Sequence, residues 1–252
     1  TASQTTEVDP RHQVLIQNNF VENFSGRAVK LQTPGAVVTG NTFRCVSGTQ
    51  NANARWVDIQ SGSGFITNNR FYIGASVTPG VSSAFVGLQG IYSNHRSLTA
   101  RDNVFVADNT MPYGVLISPS GDETTTFNIK SNEFRLTAAM TLLYHSRAFV
   151  ATDTYQTLVN IEDNYFSRVA SATPINLVRL VGEYHRNNTR GKTYSWSIIN
   201  NKTQNNSTTY NAGYILTGDT AYPIYPGYVR IKGNVGWASG CLFSPDFATI
   251  LP

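Results

Sequence analysis

Short apolar segments separated by turn-forming residues recur along the whole chain. In the clearest copy, VNIEDNYF at 159–166, alternating apolar residues lead into an Asp-Asn turn that is followed by two aromatics. Similar phrases occur at 36–43 (AVVTGNTF), 64–71 (GFITNNRF) and 127–134 (FNIKSNEF), and looser ones at 13–20, 98–105, 196–203 and 229–236. Alternation over such short lengths, bounded by turn formers, predicts β-strands.

Each phrase contains an asparagine at the same place. The aligned residues are Asn18, Asn41, Asn69, Asn103, Asn132, Asn164, Asn201 and Asn234, at intervals of 23, 28, 34, 29, 32, 37 and 33 residues. A period of about 20–50 residues is typical of repeat folds. A second apolar segment follows each turn, and no helical period is present. The pattern therefore predicts an all-β repeat protein.

Among repeat folds, the spacing favours a parallel β-helix, because Asn-Gly hairpin signals are missing and each coil can stack about 4.8 Å from the last. We predict one domain over residues 1–252, with about eight coils between about 13 and 236 and a C-terminal tail at 237–252. Neither end contains a capping helix, which favours a fragment of a longer rod or an oligomer.

Two stacks are expected to hold the coils together. The recurring asparagine is expected to take the left-handed backbone conformation and to donate its amide to the asparagine of the next coil. The aromatic two residues later is expected to stack in the core. This aromatic set consists of Phe20, Phe43, Phe71, Phe105, Phe134 and Phe166.

Composition narrows the classes of partner. Charged residues make up 13% of the chain, and the net charge of +4 is spread without a basic run, which argues against nucleic acid. No apolar run of about 18 residues is present, which argues against membrane insertion. Cys45 and Cys241 are predicted to be reduced thiols. Neither the histidines nor the acidic residues have metal-ligand spacing, so we expect no metal and no other cofactor.

The phrases I-x-x-N-x-F at 66–71, 129–134 and 161–166, with the abundance of Asn, Thr, Ser and Tyr, resemble right-handed, single-stranded parallel β-helices of the pectate-lyase-like class. Within that class the chain is most similar to bacteriophage tailspikes and capsule depolymerases. The resemblance implies a homotrimer on a virion tail that binds or cleaves bacterial surface polysaccharide. No catalytic motif of a particular family matches residue by residue.

Strand alternation predicts two outward rows beside the asparagine turn. The first contains Thr39, Thr67, Arg101, Lys130, Glu162 and Lys232, and the second contains Thr42, Arg70, Val104, Glu133, Tyr165 and Lys202. Arg70, Arg101, Glu133, Glu162 and Tyr165 are predicted to share one wall. Guanidinium groups, carboxylates and rings are typical of polysaccharide grooves, so Arg70, Arg101, Glu162 and Tyr165 are predicted to bind substrate.

Three carboxyl groups are candidates for glycoside hydrolysis. Inverting enzymes hold two carboxyl groups about 6.5–9.5 Å apart. Glu133 lies one coil from Asp102 and one coil from Asp163, each offset by two positions, which gives about 8 Å on ideal strand spacings. The predicted catalytic acid and base are Glu133 with either Asp102 or Asp163. The alternative is that Asp102 and Asp163 only form the turn.

A further candidate is on the second strand of a coil. If Val57 and Ile59 face inward, Trp56 and Asp58 face outward as a sugar platform beside an acid. The alternatives are a tryptophan covered by residues 51–55 or by a neighbouring subunit, and an aspartate in a surface ion pair with Lys30.

Three functions stay open on the sequence. The first is a tailspike-like protein that binds and depolymerises bacterial surface polysaccharide. The second is a non-catalytic structural or receptor-binding rod of a tail appendage or adhesin. The third is a cellular polysaccharide lyase or epimerase, in which an arginine or tyrosine abstracts a proton. The expected location is the virion tail, or alternatively a secreted or cell-surface position on a bacterium.

Overall fold

The computed structural model describes residues 14–32, 35–60, 63–90, 96–119, 125–136, 141–145, 157–168, 175–181, 194–205, 212–217, 226–235 and 242–243. Within these ranges the secondary structure consists of strands. None of the described segments is a helix long and apolar enough to cross a lipid bilayer.

Consecutive strands enter three parallel sheets, A, B and C, in rotation. Sheet A contains β1 (Leu15–Gln17), β4 (Ala36–Thr39), β7 (Gly64–Thr67), β10 (Arg96–Arg101), β13 (Thr125–Lys130), β16 (Thr157–Glu162), β19 (Tyr194–Ile199) and β22 (Pro226–Lys232). Sheet B contains β2 (Phe20–Glu22), β5 (Thr42–Thr49), β8 (Arg70–Thr78), β11 (Val104–Ala107), β14 (Glu133–Leu136), β17 (Tyr165–Arg168) and β20 (Lys202–Asn205). Sheet C contains β3 (Val29–Leu31), β6 (Arg55–Ile59), β9 (Ala84–Gly90), β12 (Tyr113–Pro119), β15 (Thr141–His145), β18 (Ile175–Val181), β21 (Ala212–Thr217) and β23 (Leu242–Phe243).

From β1 to β22, paired strands are three places apart in the chain, so one circuit of the three sheets forms a coil. The last pair, β21 with β23, is two places apart. In sheet A, for example, Ile129 of β13 lies opposite Ile161 of β16 in parallel register. The predicted all-β parallel β-helix is therefore confirmed. The predicted count of about eight coils is corrected to about four. These are the coils in which the side chains of all three strands are described.

Phenylalanine rings stack through the interior of the solenoid. Phe71 and Phe105 have ring centroids 4.9 Å apart, and Phe105 and Phe134 have centroids 4.7 Å apart, with nearly parallel planes. The stack continues to Phe43 at one end and to Phe166 at the other. The predicted aromatic stack is confirmed over these five residues, because the same position of sheet B points inward in each of their coils.

Asparagines form a continuous ladder where sheet A turns into sheet B. The backbone N–H and the Nδ2–H of Asn132 both donate to Oδ1 of Asn164, at 3.0 Å each. The second Nδ2 proton goes to the backbone carbonyl of Ala100, at 2.9 Å. The members are Asn19, Asn41, Asn69, Asn103, Asn132, Asn164, Asn201 and Asn234. Every coil thus satisfies the buried amide groups of its neighbours.

The first coil corrects the predicted alignment by one residue. The ladder residue is Asn19, which donates to Oδ1 of Asn41, and it is not Asn18. Phe20 consequently pairs with Thr42 and is 64% exposed, while Val21 occupies the position aligned with Phe43. A shift of one residue moves a strand's side chains to the other face, so the prediction that Phe20 joins the core stack was wrong.

The left-handed backbone position also differs from the prediction. It belongs to the residue before each ladder asparagine: Asn18, Gly40, Asn68, Asp102, Ser131, Asp163, Asn200 and Gly233 all have φ between 53° and 66°. All eight are exposed. This residue turns the chain while its own side chain stays in solvent, which leaves the following asparagine free to point inward.

Of the two cysteines, Cys45 is a buried free thiol, and Cys241 lies outside the described residues. Burial raises the pKa of Cys45, although the carbonyl of Phe24 accepts its S–H at 3.5 Å. The prediction of a reduced thiol is confirmed for Cys45.

Candidate functional site

Two rows of outward side chains flank the asparagine ladder. On sheet A, Thr39, Thr67, Arg101, Lys130 and Glu162 follow one another in register from strand to strand. On sheet B, the row is Thr42, Arg70, Val104, Glu133, Tyr165 and Lys202. Both predicted rows are confirmed up to Glu162 and Lys202. In the sheet A row, Ile199 lies in register between Glu162 and the predicted member Lys232. The ladder and its left-handed turn lie between them, so the rows are on two sheets and do not form the single predicted wall.

Charged side chains of the sheet A row form ion pairs with each other or with a neighbouring residue. Lys130 Nζ lies 2.8 Å from a carboxylate oxygen of Glu162, one coil away. Arg101 Nε lies 3.4 Å from the carboxylate of Asp102, the next residue in the chain. Arg101 and Glu162 therefore face outward as predicted, with their charges compensated by neighbours of the same protein.

Each of the three predicted catalytic carboxyl groups belongs either to an ion pair or to a turn of the backbone. Both oxygens of Glu133 accept from Arg135 on the same strand, at 2.6 Å from Nε and 2.8 Å from Nη2. This bidentate pair raises the pKa of Arg135. Asp102 and Asp163 occupy the left-handed turn, with φ of 55° and 56°. The separation of about 8 Å assumed a straight strand, and the turn removes the basis of that estimate.

A second outward row on sheet B contains groups that the sequence analysis did not single out. Arg44 forms an ion pair with Glu22, one coil before it. Its guanidinium carbon lies 5.7 Å above the ring centre of Tyr72, one coil after it. Tyr72 donates its hydroxyl to Asp108 at 2.8 Å, and this bond to a carboxylate raises the pKa of Tyr72. The phenol thus stays protonated and anchored at neutral pH.

Tyr165 is anchored in the same way, because its hydroxyl donates to Oε1 of Gln204 on the next-coil strand β20. Tyr72 and Tyr165 thus lie on one outer face with their hydroxyls fixed. They are three strands apart, which corresponds to about 14 Å along the rod. Tyr72 could have been found from the sequence, because it is two residues after the predicted outward residue Arg70.

Trp56 corrects the prediction for sheet C. It is fully buried, and its ring packs edge-on against Phe24 and Phe85 at 4.9 and 4.8 Å. Phe85 in turn contacts the Phe71 and Phe105 rings of the core stack. Val57 is buried as well, so two consecutive residues enter the core and strict alternation fails at this strand. The prediction of an outward sugar platform was wrong.

Asp58 is also fully buried, although it pairs in register with the exposed residue Lys30. Its Oδ2 accepts from Arg27 Nε at 2.7 Å and from Gln60 Nε2 at 2.9 Å, and Arg55 Nη1 lies at 4.0 Å. The predicted ion pair therefore exists with other partners, and the predicted contact of Asp58 with sugar was wrong because its carboxylate is covered.

The neighbouring coil makes room for this buried cluster. A Cβ at Gly87 would lie 2.5 Å from Cδ of Arg55 and 2.8 Å from Oδ1 of Asp58. Burial lowers the pKa of Arg55, while the carboxylate of Asp58 opposes that shift. Asp58 thus compensates a cation that would otherwise be desolvated.

Replacing Asp58 by asparagine is expected to lower the free energy of unfolding by about 2 kcal/mol, because Arg27 and Arg55 would lose a buried counter-charge. Urea unfolding followed by circular dichroism measures the change. Lys30→Gln, in the same row but exposed, is the matched control and should stay within about 0.5 kcal/mol. Equal stability of the Asp58 variant and the control would contradict a structural role for the carboxylate.

Among the described residues, no group of three or more His, Cys, Asp and Glu side chains is placed to hold a metal ion. No protein-family model, curated protein or solved structure matches the chain. The parallel β-solenoid therefore rests on the structure, and the resemblance to tailspikes stays a prediction from the sequence.

Proposed function

We propose that the chain is a rod of a tailspike-like surface appendage and binds bacterial surface polysaccharide along the outer face of sheet B. The observation that carries the proposal is the pair of anchored tyrosines, Tyr72 and Tyr165, on one face of a rigid parallel sheet. A ring whose hydroxyl is already fixed loses little conformational freedom when a sugar packs on it.

The surroundings of the two tyrosines support the same ligand class. Val104 and Val106 lie on β11, one of the two strands between them, and offer an apolar patch to the C–H groups of a sugar ring. Arg44 and Arg135 lie in the outward row of Tyr72, and the N–H groups that they do not use in pairing with Glu22 and Glu133 can donate to sugar hydroxyl groups. Aromatic rings beside rigid hydrogen-bond donors are a common composition for ligand surfaces.

Binding without cleavage is favoured over hydrolysis. Glu133 accepts from Nε and Nη2 of Arg135, and Asp102 and Asp163 form turns, so each of the three carboxyl groups already has a structural role. Through the sequence resemblance, the proposal includes a homotrimer on a virion tail. A monomer mass in light scattering of the purified chain would contradict that part.

Tyr165→Ala and Tyr72→Ala are each expected to weaken polysaccharide binding about two- to tenfold, because a ring contact contributes about 0.5–1.5 kcal/mol. Binding is measured on an array of bacterial capsular polysaccharides and lipopolysaccharides. Neither change should unfold the protein, since both rings are on the outer face.

The matched control is Phe65→Ala, which removes a 45% exposed ring from the outer face of sheet A and should leave binding unchanged. Equal losses in all three variants would contradict a site on sheet B. Size analysis of the polymers after incubation tests hydrolysis separately, because new reducing ends that disappear in Glu133→Gln would restore the catalytic hypothesis.

A further inference from the structure

Two exposed cations lie in one outward row of sheet B. Arg70 is followed in register by Val104, Glu133 and Tyr165, and then by Lys202. Four strand steps separate the two cations, which corresponds to about 19 Å along the rod. An oligosaccharide of several units can extend over such a distance.

The two glutamates of this face are already paired. Glu22 pairs with Arg44, and Glu133 pairs with Arg135. A further carboxylate, that of Asp108, accepts the hydroxyl of Tyr72 at 2.8 Å. No carboxylate of the described residues lies within 4.0 Å of a side-chain nitrogen of Arg70 or Lys202. The face therefore presents an unpaired positive charge at two defined places.

We propose that sheet B binds an anionic polysaccharide parallel to the rod axis, with carboxylate groups of the polymer paired to Arg70 and Lys202. This inference rests on the proposed function and names its ligand class. The planar guanidinium of Arg70 can bind a sugar carboxylate through two hydrogen bonds, and the ammonium of Lys202 acts as a point charge. Tyr72 and Tyr165 lie within the same span, so rings and charges act on one chain of sugars.

The positions of Arg70 and Lys202 define the direction in which the polymer lies on the sheet. Strands of sheet B run across the rod, whereas the row from Arg70 to Lys202 runs from coil to coil. A polymer that crossed the rod would meet one of the two cations at a time. A polymer along the axis meets both, and the two contacts then reinforce each other through effective concentration.

The test compares each acidic capsular polysaccharide with the same polymer after carbodiimide-mediated reduction of its carboxyl groups. We expect the unmodified protein to bind the acidic form at least tenfold more tightly, with an affinity that falls as salt rises. Arg70→Gln combined with Lys202→Gln should remove most of this difference. Affinity for the reduced polymer should stay within twofold of the unmodified protein.

Lys232→Gln is the matched control, since it removes an exposed cation from sheet A across the ladder and should change affinity less than twofold. Equal binding of acidic and reduced polymers by the unmodified protein would overturn the inference while leaving the proposed function intact. An unchanged preference in the double variant, or an equal loss in Lys232→Gln, would also overturn it. Binding of neither polymer form would refute the proposed function itself.

Discussion

Replacing Asn132 by alanine is expected to lower the free energy of unfolding by about 4 kcal/mol, because several buried groups would lose a partner at once. Oδ1 of Asn132 accepts the backbone N–H and the Nδ2–H of Asn103, at 3.1 and 3.0 Å. Its own Nδ2 donates to Asn164 and to the carbonyl of Ala100. Asn132 is 1% exposed, so water cannot replace these bonds without opening the coil. Urea unfolding followed by circular dichroism measures the loss.

The neighbouring residue provides the matched control. Ser131 is exposed and has a φ of 53°, a conformation that glycine adopts without steric cost. Ser131→Gly should therefore change stability by no more than about 0.5 kcal/mol, since relief of strain offsets greater freedom of the unfolded chain. A loss below about 1 kcal/mol for the Asn132 variant would contradict the ladder as a main source of stability.

Replacing Phe105 by alanine is expected to lower the free energy of unfolding by about 4 kcal/mol, the range found when a buried aromatic ring leaves a cavity. Phe105 is fully buried, and it contacts rings of Phe71 and Phe134 on its two sides. Phe85 of sheet C touches it as well, with centroids 5.7 Å apart. Loss of this ring therefore interrupts the stack between coils and between two sheets.

Two further variants separate packing from surface effects in the same unfolding measurement. Phe105→Leu fills part of the cavity and should cost about 1.5 kcal/mol. Phe65→Ala removes a half-exposed ring on sheet A and should stay within about 0.5 kcal/mol. If Phe65→Ala destabilised the protein as much as Phe105→Ala, the outer face of sheet A would have to be covered.

The repeat could be predicted from the sequence because stacking demands the same residue type in every coil. An asparagine at the turn and a phenylalanine two residues later each lose several contacts if replaced, so the phrase is visible at Asn69 and Phe71, or at Asn164 and Phe166. Register between strands followed from that alignment, which is why both outward rows were predicted correctly up to Glu162 and Lys202.

The failures arose where local sequence allowed two alignments. At Asn18-Asn19 either asparagine could enter the ladder, and only contact with Asn41 decides between them. The left-handed position was also marked in the sequence, because glycine occupies it at Gly40 and Gly233. Glycine would be a poor choice for the ladder itself, which needs a side-chain amide.

The candidate site was less predictable because the contacts of charged groups and aromatic rings depend on side-chain conformation. Glu133 could be placed on the outer face from alternation, but its pairing with Arg135 on the same strand depends on side-chain conformation. Trp56 is buried and packs edge-on against Phe24, which belongs to a different coil. Neither contact has a signature in the spacing of residues.

The ladder has a consequence for how such a chain can acquire new segments. Successive ladder residues are separated by as few as 22 and as many as 37 positions, yet the asparagine bonds are alike at both extremes. Closing the longer connection costs only about 0.5 kcal/mol more entropy, since the cost rises with the logarithm of length. The ladder therefore keeps its geometry whatever the length of the connection, and peptides inserted into the connections elsewhere in a coil should leave it intact.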